Sequence, residues 1–228
     1  MKIARLVPVI AMTGALCACT HVSDHKATNA SFNFTGQVKR VVLASPDVTL
    51  GELTAGGVVE DRADWTASAK GFIVDDVTAA MAAKGVDTIK VEKFASEHES
   101  QLVKLHDAVG GEAIMHSFLQ PLPSKHGAID WTLGPGTNEM RDRYHADYAL
   151  FVYVHDTYTT AGRVLMMLGM AAIGVGIQGG QQIGFVSLVD LRTGDIVWFN
   201  MLTSTGGDLR DSASAKPVVA SLLEDIPL

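Results

Sequence analysis

The sequence has few cysteines, no basic run and no long apolar run, and each shortage excludes a class of protein. Its 228 residues contain only two cysteines, Cys17 and Cys19, both within the first twenty. A disulfide framework, a thiol nucleophile and a cysteine metal site are therefore not expected in the rest of the chain. No run of five basic residues occurs, which argues against nucleic acid as a partner. The apolar stretch 164–177 is 14 residues long, too short for a helix across a bilayer core of about 30 Å.

The first twenty residues have the pattern of a secretory signal. A basic start, MKIAR, precedes eleven apolar or small residues, LVPVIAMTGAL. The following LCAC resembles the bacterial lipobox, in which Cys19 is the residue that is acylated. Cys17 fits less well because Gly14 would then occupy the −3 position. An ordinary signal peptide with two incidental cysteines is the alternative.

This signal predicts how the chain is organised and where it is located. Residues 1–18 are expected to be removed as a lipoprotein signal peptide, residues 19–36 to form a flexible tether, and residues 37–228 to form one periplasmic domain. Thr20 stands where an aspartate would retain a lipoprotein in the inner membrane. We therefore expect attachment to the periplasmic face of the outer membrane, through diacylglycerol and palmitate chains on Cys19.

The charge balance limits the partners further. The full chain has 18 Lys and Arg against 25 Asp and Glu; loss of Lys2 and Arg5 with the signal leaves 16 against 25, a net charge of −9. An acidic domain of this kind is not expected to bind nucleic acid or anionic lipid head groups.

Apolar spacing predicts two helices in the first half of the domain. Residues 65–84 repeat apolar side chains every three or four positions, with Asp64 as the expected N-cap. A second helix is expected from about Glu97, with a possible break at Gly110 and Gly111. The intervening DTIKVEKF alternates like a half-exposed strand, and residues 49–61 are expected to form a loop or partial helix.

The second half of the domain has the pattern of a sheet. ADYALFVYVHD is a nearly continuous apolar run, as expected for a central strand. IGFVSLVDL and DIVWFNML are joined at RTG, which predicts a hairpin with Gly194 in a left-handed conformation. A closing helix is expected to have Pro217 in its first turn. The order predicts an α/β or α+β fold: a mixed sheet with a C-terminal hairpin, packed by two or three amphipathic helices.

Two of these stretches resemble a known group of domains. ADYALFVYV and SLVDLRTGDIVW are similar to segments of periplasmic lipoprotein domains that include the curli-secretion lipoprotein, the penicillin-binding-protein activator lipoproteins and the N-terminal domain of TolB. The resemblance covers residues 37–227. It implies a non-enzymatic role in assembling, scaffolding or activating other envelope components. VLMMLGMAAIGVGI does not alternate as the membrane hairpins of the curli pore do, which argues against a pore.

A glycine motif raises the possibility of a nucleotide site. Gly174, Gly176 and Gly179 have the G-x-G-x-x-G spacing of dinucleotide-binding turns, and Asp190 follows. A crossover helix must lie between the last glycine and the acidic residue. IGFVSLV, which occupies that interval, is strand-like, so neither a nucleotide nor any other cofactor is predicted.

Signals for catalysis or metal binding are weak throughout. His145 and His155 flank the central strand, and ten residues of strand place them about 30 Å apart, too far to share an ion. Ser117 is next to His116 in sequence but lies outside any G-x-S-x-G motif. We therefore predict no catalytic and no metal-binding residue. A lipid-anchored hydrolase of envelope material is the alternative, because a triad can assemble from distant residues.

The uncharged stretch from 164 to 189 is the strongest candidate for a binding surface. Its apolar part is either a core segment with closely packed glycines, a membrane span, or an interface in which methionines provide adaptable contacts. The interface interpretation predicts a homo-oligomer or a docked envelope protein. Its candidate residues are Val164, Met166, Met167, Met170, Ile173 and Ile177.

Overall fold

The computed structural model describes residues 25–29, 32, 38–125, 129–204 and 207–228. Within these ranges eight strands form one mixed sheet with five α-helices around it, which confirms the predicted fold class. The strands are β1 (His25–Thr28), β2 (Arg40–Leu43), β3 (Asp47–Leu53), β4 (Val59–Asp61), β5 (Asp87–Lys90), β6 (Tyr148–Thr159), β7 (Gln182–Asp190) and β8 (Ile196–Ser204). The helices are α1 (Ala63–Ala83), α2 (Glu97–Ala113), α3 (Asn138–Tyr144), α4 (Ala161–Ala171) and α5 (Ser212–Leu222).

The central position of β6 is confirmed. On one side it pairs antiparallel with β7, which continues through β8 to β1. On the other side its first residues pair parallel with β2 and its later residues parallel with β3. Ala149, Leu150 and Phe151 are buried, with at most 1% of each residue exposed. A strand covered on both faces needs apolar side chains in both directions, which explains the continuous apolar run.

Helices cover the two faces of the sheet. One face packs against α1 and α5, and the other packs against α2 and the α3 region. The predicted inner face of α1 is confirmed, with Ala69, Ile73, Val77 and Met81 buried. Its N-cap is Arg62 rather than Asp64; the Asp64 side chain instead pairs with Arg62 at 3.4 Å.

Two helix boundaries differ from the prediction. Helix α5 begins at Ser212, before the expected turn, because the Asp211 side chain caps it by accepting from the Ser214 N–H at 3.0 Å. Helix α2 runs through Gly110 and Gly111 without a break and continues into a π-helical turn, Ile114–Leu119. Gly110 is buried against the sheet, where its lack of a side chain lets the helix approach Phe185.

The expected loop at 49–61 is instead the β3–β4 hairpin, and that prediction was wrong. Leu53 pairs with Val59, and the turn between them contains Gly57 at φ +84°. Thr54 stabilises the turn by accepting from the Val58 N–H at 3.2 Å. Gly56 and Gly57 are turn residues between the two strands.

The β7–β8 hairpin has the expected glycine conformation. Gly194 has φ +84°, and its N–H donates to the Asp190 carbonyl at 2.7 Å. The Asp190 side chain accepts from the Arg192 N–H at 2.8 Å, a local bond typical of aspartate in turns. These contacts make Asp190 a turn residue of the hairpin.

Part of the predicted tether belongs to the sheet. Residues 25–28 form β1, which pairs antiparallel with β8, so this part of the 19–36 segment is ordered in the structure. Lys26 pairs with Asp225 at 3.3 Å and also with Glu224, which joins β1 to the turn that follows α5. The domain therefore begins earlier than residue 37 at its sheet edge.

Candidate interaction surface at one end of the sheet

Helix α4 has well-defined start and stop signals. Thr160 is its N-cap, with its side chain accepting from the Arg163 N–H at 3.1 Å. At the other end Gly174 has φ +82°. The Gly174 N–H donates to Ala171 and the Val175 N–H donates to Met170. This pair of bonds is a Schellman motif, which ends helices at a left-handed glycine.

The polarity of α4 is the reverse of that of an ordinary surface helix. None of its residues is buried, yet Arg163 is its only charged residue. Arg163 is turned toward the protein, where its guanidinium donates to the carbonyls of Gln178 at 2.9 Å and Ala55 at 3.4 Å. The outward side chains are apolar, with Leu165 70% and Leu168 64% exposed. A soluble amphipathic helix places its charges outward and its apolar stripe inward.

The segment that follows α4 extends the same surface. Ile173 is 71% and Val175 41% exposed. We call the exposed apolar side chains of residues 164–175 the α4 surface: Val164, Leu165, Met166, Leu168, Ile173 and Val175. Monomeric domains rarely leave contiguous apolar surface of this kind in water, so it marks a contact site.

The chain returns from the α4 surface to the sheet through hydrogen bonds with the end of β6. The Gly180 N–H donates to the Thr159 hydroxyl at 2.6 Å, and the Gln181 N–H donates to the Thr157 hydroxyl at 2.8 Å. A Cβ at Gly180 would lie 1.9 Å from the Thr157 carbonyl oxygen. A glycine is therefore required at 180 for the chain to pass this close to β6.

These contacts give the glycine motif another explanation. Gly174 ends a helix, Gly176 has open space around it, and Gly179 lies beside Met167. The preceding element is helix α4 and the following one is strand β7, the reverse of the strand-turn-helix order that a dinucleotide site requires. The three glycines therefore belong to the end of α4 and to its connection to β7, and not to a strand-turn-helix.

The predicted interface residues divide into two groups. Val164, Met166 and Ile173 are exposed, whereas Met167, Met170 and Ile177 are partly covered. Sequence reasoning missed Leu165, Leu168 and Val175, which are exposed members of the same surface. The signal that could have found them is Thr160 before a run of helix formers, since it predicts the helix and hence the outward positions.

A buried polar network lies beside this end of the sheet. Asp156, 3% exposed, accepts hydrogen bonds from the Tyr158 hydroxyl and, at 2.7 Å, from the Gln182 amide. Burial raises the pKa of Asp156, and burial together with the Asp156 carboxylate raises the pKa of Tyr158. The Tyr158 hydroxyl accepts from the Leu209 N–H at 2.7 Å. The network holds the 207–210 segment against β6.

The structure also brings together a histidine and a serine that sequence reasoning did not connect. His106 on α2 and Ser187 on β7 share a hydrogen bond of 2.9 Å, and both side chains are fully buried. The His106 ring packs against the rings of Phe151 and Phe185, each at 5.2 Å between centroids. Asp107 lies 3.5 Å from the other ring nitrogen. The contacts from Asp107 to His106 to Ser187 follow the order of a catalytic triad. His106 and Ser187 are, however, enclosed between α2 and the sheet, where a substrate has no access.

The buried histidine predicts a pH dependence of stability. Burial lowers the pKa of His106, so the native state holds it neutral while the unfolded chain protonates near pH 6.5. Unfolding therefore takes up a proton below about pH 6.5, and stability should fall as the pH drops from 7 to 5. Urea midpoints across this range should fall less steeply in His106→Gln; an unchanged slope would mean that His106 does not control the effect.

The structure does not bring together the other histidine and serine side chains that the sequence analysis considered. His145 precedes β6 and His155 lies in its second half, so strand β6 keeps them separate. Ser117 accepts from the Trp131 indole N–H at 3.0 Å, whereas His116 pairs with Glu112 at 3.2 Å. In the described ranges no group of three His, Asp or Glu side chains is placed to hold a metal ion.

The predicted lipid attachment site, Cys19, lies outside the described residues, and its acylation stays a prediction. Across the part of the chain that the structure covers, no helix has the length and apolar content needed to cross a membrane.

Comparisons with known proteins give weak structural likenesses. No protein-family model matches the chain, and no curated protein matches it significantly. A PelC dodecamer from Paraburkholderia phytofirmans is 14% identical with a TM-score of 0.41, over 89% of this chain and 94% of that one. Lipoprotein GNA1162 from Neisseria meningitidis is 12% identical with a TM-score of 0.34, over 81% and 95%. Neither likeness assigns a function, and the resemblance to the curli-secretion and TolB group stays a prediction from sequence.

Proposed function

We propose that this chain is a lipid-anchored accessory subunit of an envelope assembly, acting by binding rather than by catalysis. The observation that carries the proposal is the reversed polarity of α4. Its charged side chain, Arg163, is turned inward, and apolar side chains such as Leu165 and Leu168 are left outside.

Apolar area in water costs about 25 cal/mol per Å², so an exposed surface of a few hundred Å² costs several kcal/mol. A folded chain avoids this cost when another surface covers the patch. The cap at Thr160 and the inward bonds of Arg163 hold the helix in its exposed position, which favours a permanent contact site.

The alternative function, a lipid-anchored hydrolase, has one observation in its favour: the 2.9 Å bond between His106 and Ser187. Neither side chain is exposed, however, and Phe151 and Phe185 fill the space around the imidazole. A general base must reach the proton that it removes in a substrate complex, which an enclosed histidine does not. Binding is therefore the better supported function.

The proposal predicts where the protein goes in the cell. Cys19→Ser removes the acylation site, and we expect the variant to move from the membrane fraction to the soluble periplasmic fraction. Crosslinking in intact cells, with purification through the C-terminus, should recover envelope proteins with the unaltered chain. A Cys19→Ser protein that remains in the membrane at high salt would contradict the anchor; an unaltered chain without protein neighbours would contradict the accessory role.

A further inference from the structure

We propose that the α4 surface rests on the lipid leaflet in which the acyl chains of Cys19 are embedded. Helix α4 is then a second membrane contact that orients the domain. This inference rests on the proposed lipid anchor and on the proposed binding role: it makes the membrane, rather than a protein, the surface that α4 binds, so that envelope proteins contact other parts of the domain.

Strand β1 begins toward the end of the sheet at which α4 lies. In β1, His25 pairs with Met201 and Thr28 with Trp198, so β1 begins on the side of the last residues of β8. Ser204, the last residue of β8, pairs with Gln182 at the start of β7, and Gln182 pairs with Asp156 near the end of β6. Helix α4 follows β6 directly. The first residue of β1 is therefore directed to the same end of the sheet as α4, which we call the α4 end.

The connection between Cys19 and β1 is short. Cys19 stands six positions before His25 in the sequence. A fully extended chain spans at most about 3.3–3.6 Å per residue, so the acylated cysteine lies within about 22 Å of β1. Three strand spacings of about 4.8 Å separate β1 from β6. The leaflet that holds Cys19 is thus kept close to the α4 end.

The two ends of the sheet differ in the side chains that they present. At the opposite end a pocket of about 610 Å³ is lined by charged residues. They are Lys39, Arg40, Asp87, Arg141, Asp147, Asp190 and Arg192. At the α4 end Arg163 binds carbonyls and Asp208 and Arg210 pair at 2.8 Å, while the exposed carboxylates of Glu60 and Asp61 lie on β4, two strands away from β6. An end that faces lipid is expected to present apolar side chains, and one that faces water to present charges.

The chemistry of the α4 surface also fits lipid. Its outward side chains are Leu, Ile, Val and Met, with Ala and Gly between them, and none of these can donate or accept a side-chain hydrogen bond of ordinary strength. Protein interfaces of standard size carry a polar rim and about one hydrogen bond per 100–200 Å². Acyl chains require neither. Because the mature chain carries net negative charge, we expect contact through apolar burial rather than through anionic head groups.

The scarcity of cysteine provides a direct test. Acylation of Cys19 leaves no free thiol in the mature chain, so Leu168→Cys creates a unique site for a bimane fluorophore. Asp142→Cys, at a side chain 79% exposed beside the charged end, is the matched control. The lipidated full-length variants are reconstituted in phosphatidylcholine vesicles that contain lipids with brominated acyl chains. We expect brominated lipid to remove most of the fluorescence at position 168 and little at 142.

The outcomes separate the two proposals. Flotation with the vesicles reports the lipid anchor, and a chain that fails to float overturns both proposals. A chain that floats, but whose label at 168 is quenched by iodide in water and not by brominated lipid, overturns the membrane contact alone. Protection of the label at position 168 from both quenchers shows that a second copy or another protein covers α4. This result also overturns the membrane contact. Adding Leu165→Glu to the labelled Leu168→Cys variant should restore most of its fluorescence. Loss of a leucine that is buried in the leaflet weakens the binding of α4 to lipid about tenfold or more.

Discussion

Replacing Gly194 with valine is expected to destabilise the domain more than any other single change considered for this chain. Gly194 has φ +84°, a conformation that is strained for a β-branched residue. A Cβ at this position would lie 2.0 Å from the Gly134 carbonyl oxygen, a backbone atom. Strain and overpacking together should cost about 2–6 kcal/mol, a large part of the stability of an ordinary domain.

Urea unfolding followed by circular dichroism measures this loss. Gly176→Val is the matched control, because a Cβ at Gly176 meets nothing within 4 Å and its φ is not positive. The control should change the unfolding midpoint little. Equal midpoints for the two variants would show that the hairpin turn tolerates a side chain and that the packing of Gly194 against Gly134 is unimportant.

Two neighbouring glycines of α2 should respond in opposite directions to the same change. A Cβ at Gly110 would lie 2.1 Å from the Phe185 ring, whereas one at Gly111 meets nothing within 4 Å. Phe185 is held by aromatic contacts to Tyr153 at 4.8 Å and Phe199 at 5.7 Å between centroids, so its ring has little room to move. We expect Gly110→Ala to destabilise by about 1–3 kcal/mol.

The expected gain at the second glycine comes from helix propensity. Alanine in a helix interior is favoured over glycine by about 0.5–1 kcal/mol, so Gly111→Ala should stabilise the domain by that amount. The difference between the two unfolding free energies is the measured quantity. Stabilisation by both substitutions would mean that α2 does not approach the sheet as closely as the structure places it.

Elements whose signal is local could be predicted from the sequence. The α1 spacing requires one buried face whichever sheet it meets, and the apolar run of β6 requires burial on both sides. The glycine of the β7–β8 turn follows from the geometry of short hairpins, and φ at Gly194 agrees. The same local logic failed at 49–61, because two glycines suit a hairpin turn as well as a loop.

The candidate site was predictable only in outline. The sequence identified the uncharged stretch and suggested a contact surface, since too few charges were present to solvate it. It did not show which side chains point outward, because that depends on the direction in which α4 leaves β6. The hydrogen bonds from the Arg163 side chain to the carbonyls of Gln178 and Ala55 set that direction. Gln178 lies 15 residues further along the chain, and Ala55 belongs to the β3–β4 hairpin.

By itself the sequence determined the signal pattern around Cys19, the acidic charge, the absence of cysteine from the expected mature domain, and the alternation of helices and strands. These are properties of composition and short-range order, which each segment carries independently of its neighbours. Tertiary structure alone decided that His106 meets Ser187, that Gly110 meets Phe185, and that β1 begins toward the end of the sheet where α4 lies. Such contacts join residues far apart in the chain, and their existence depends on strand register and helix packing rather than on any local pattern.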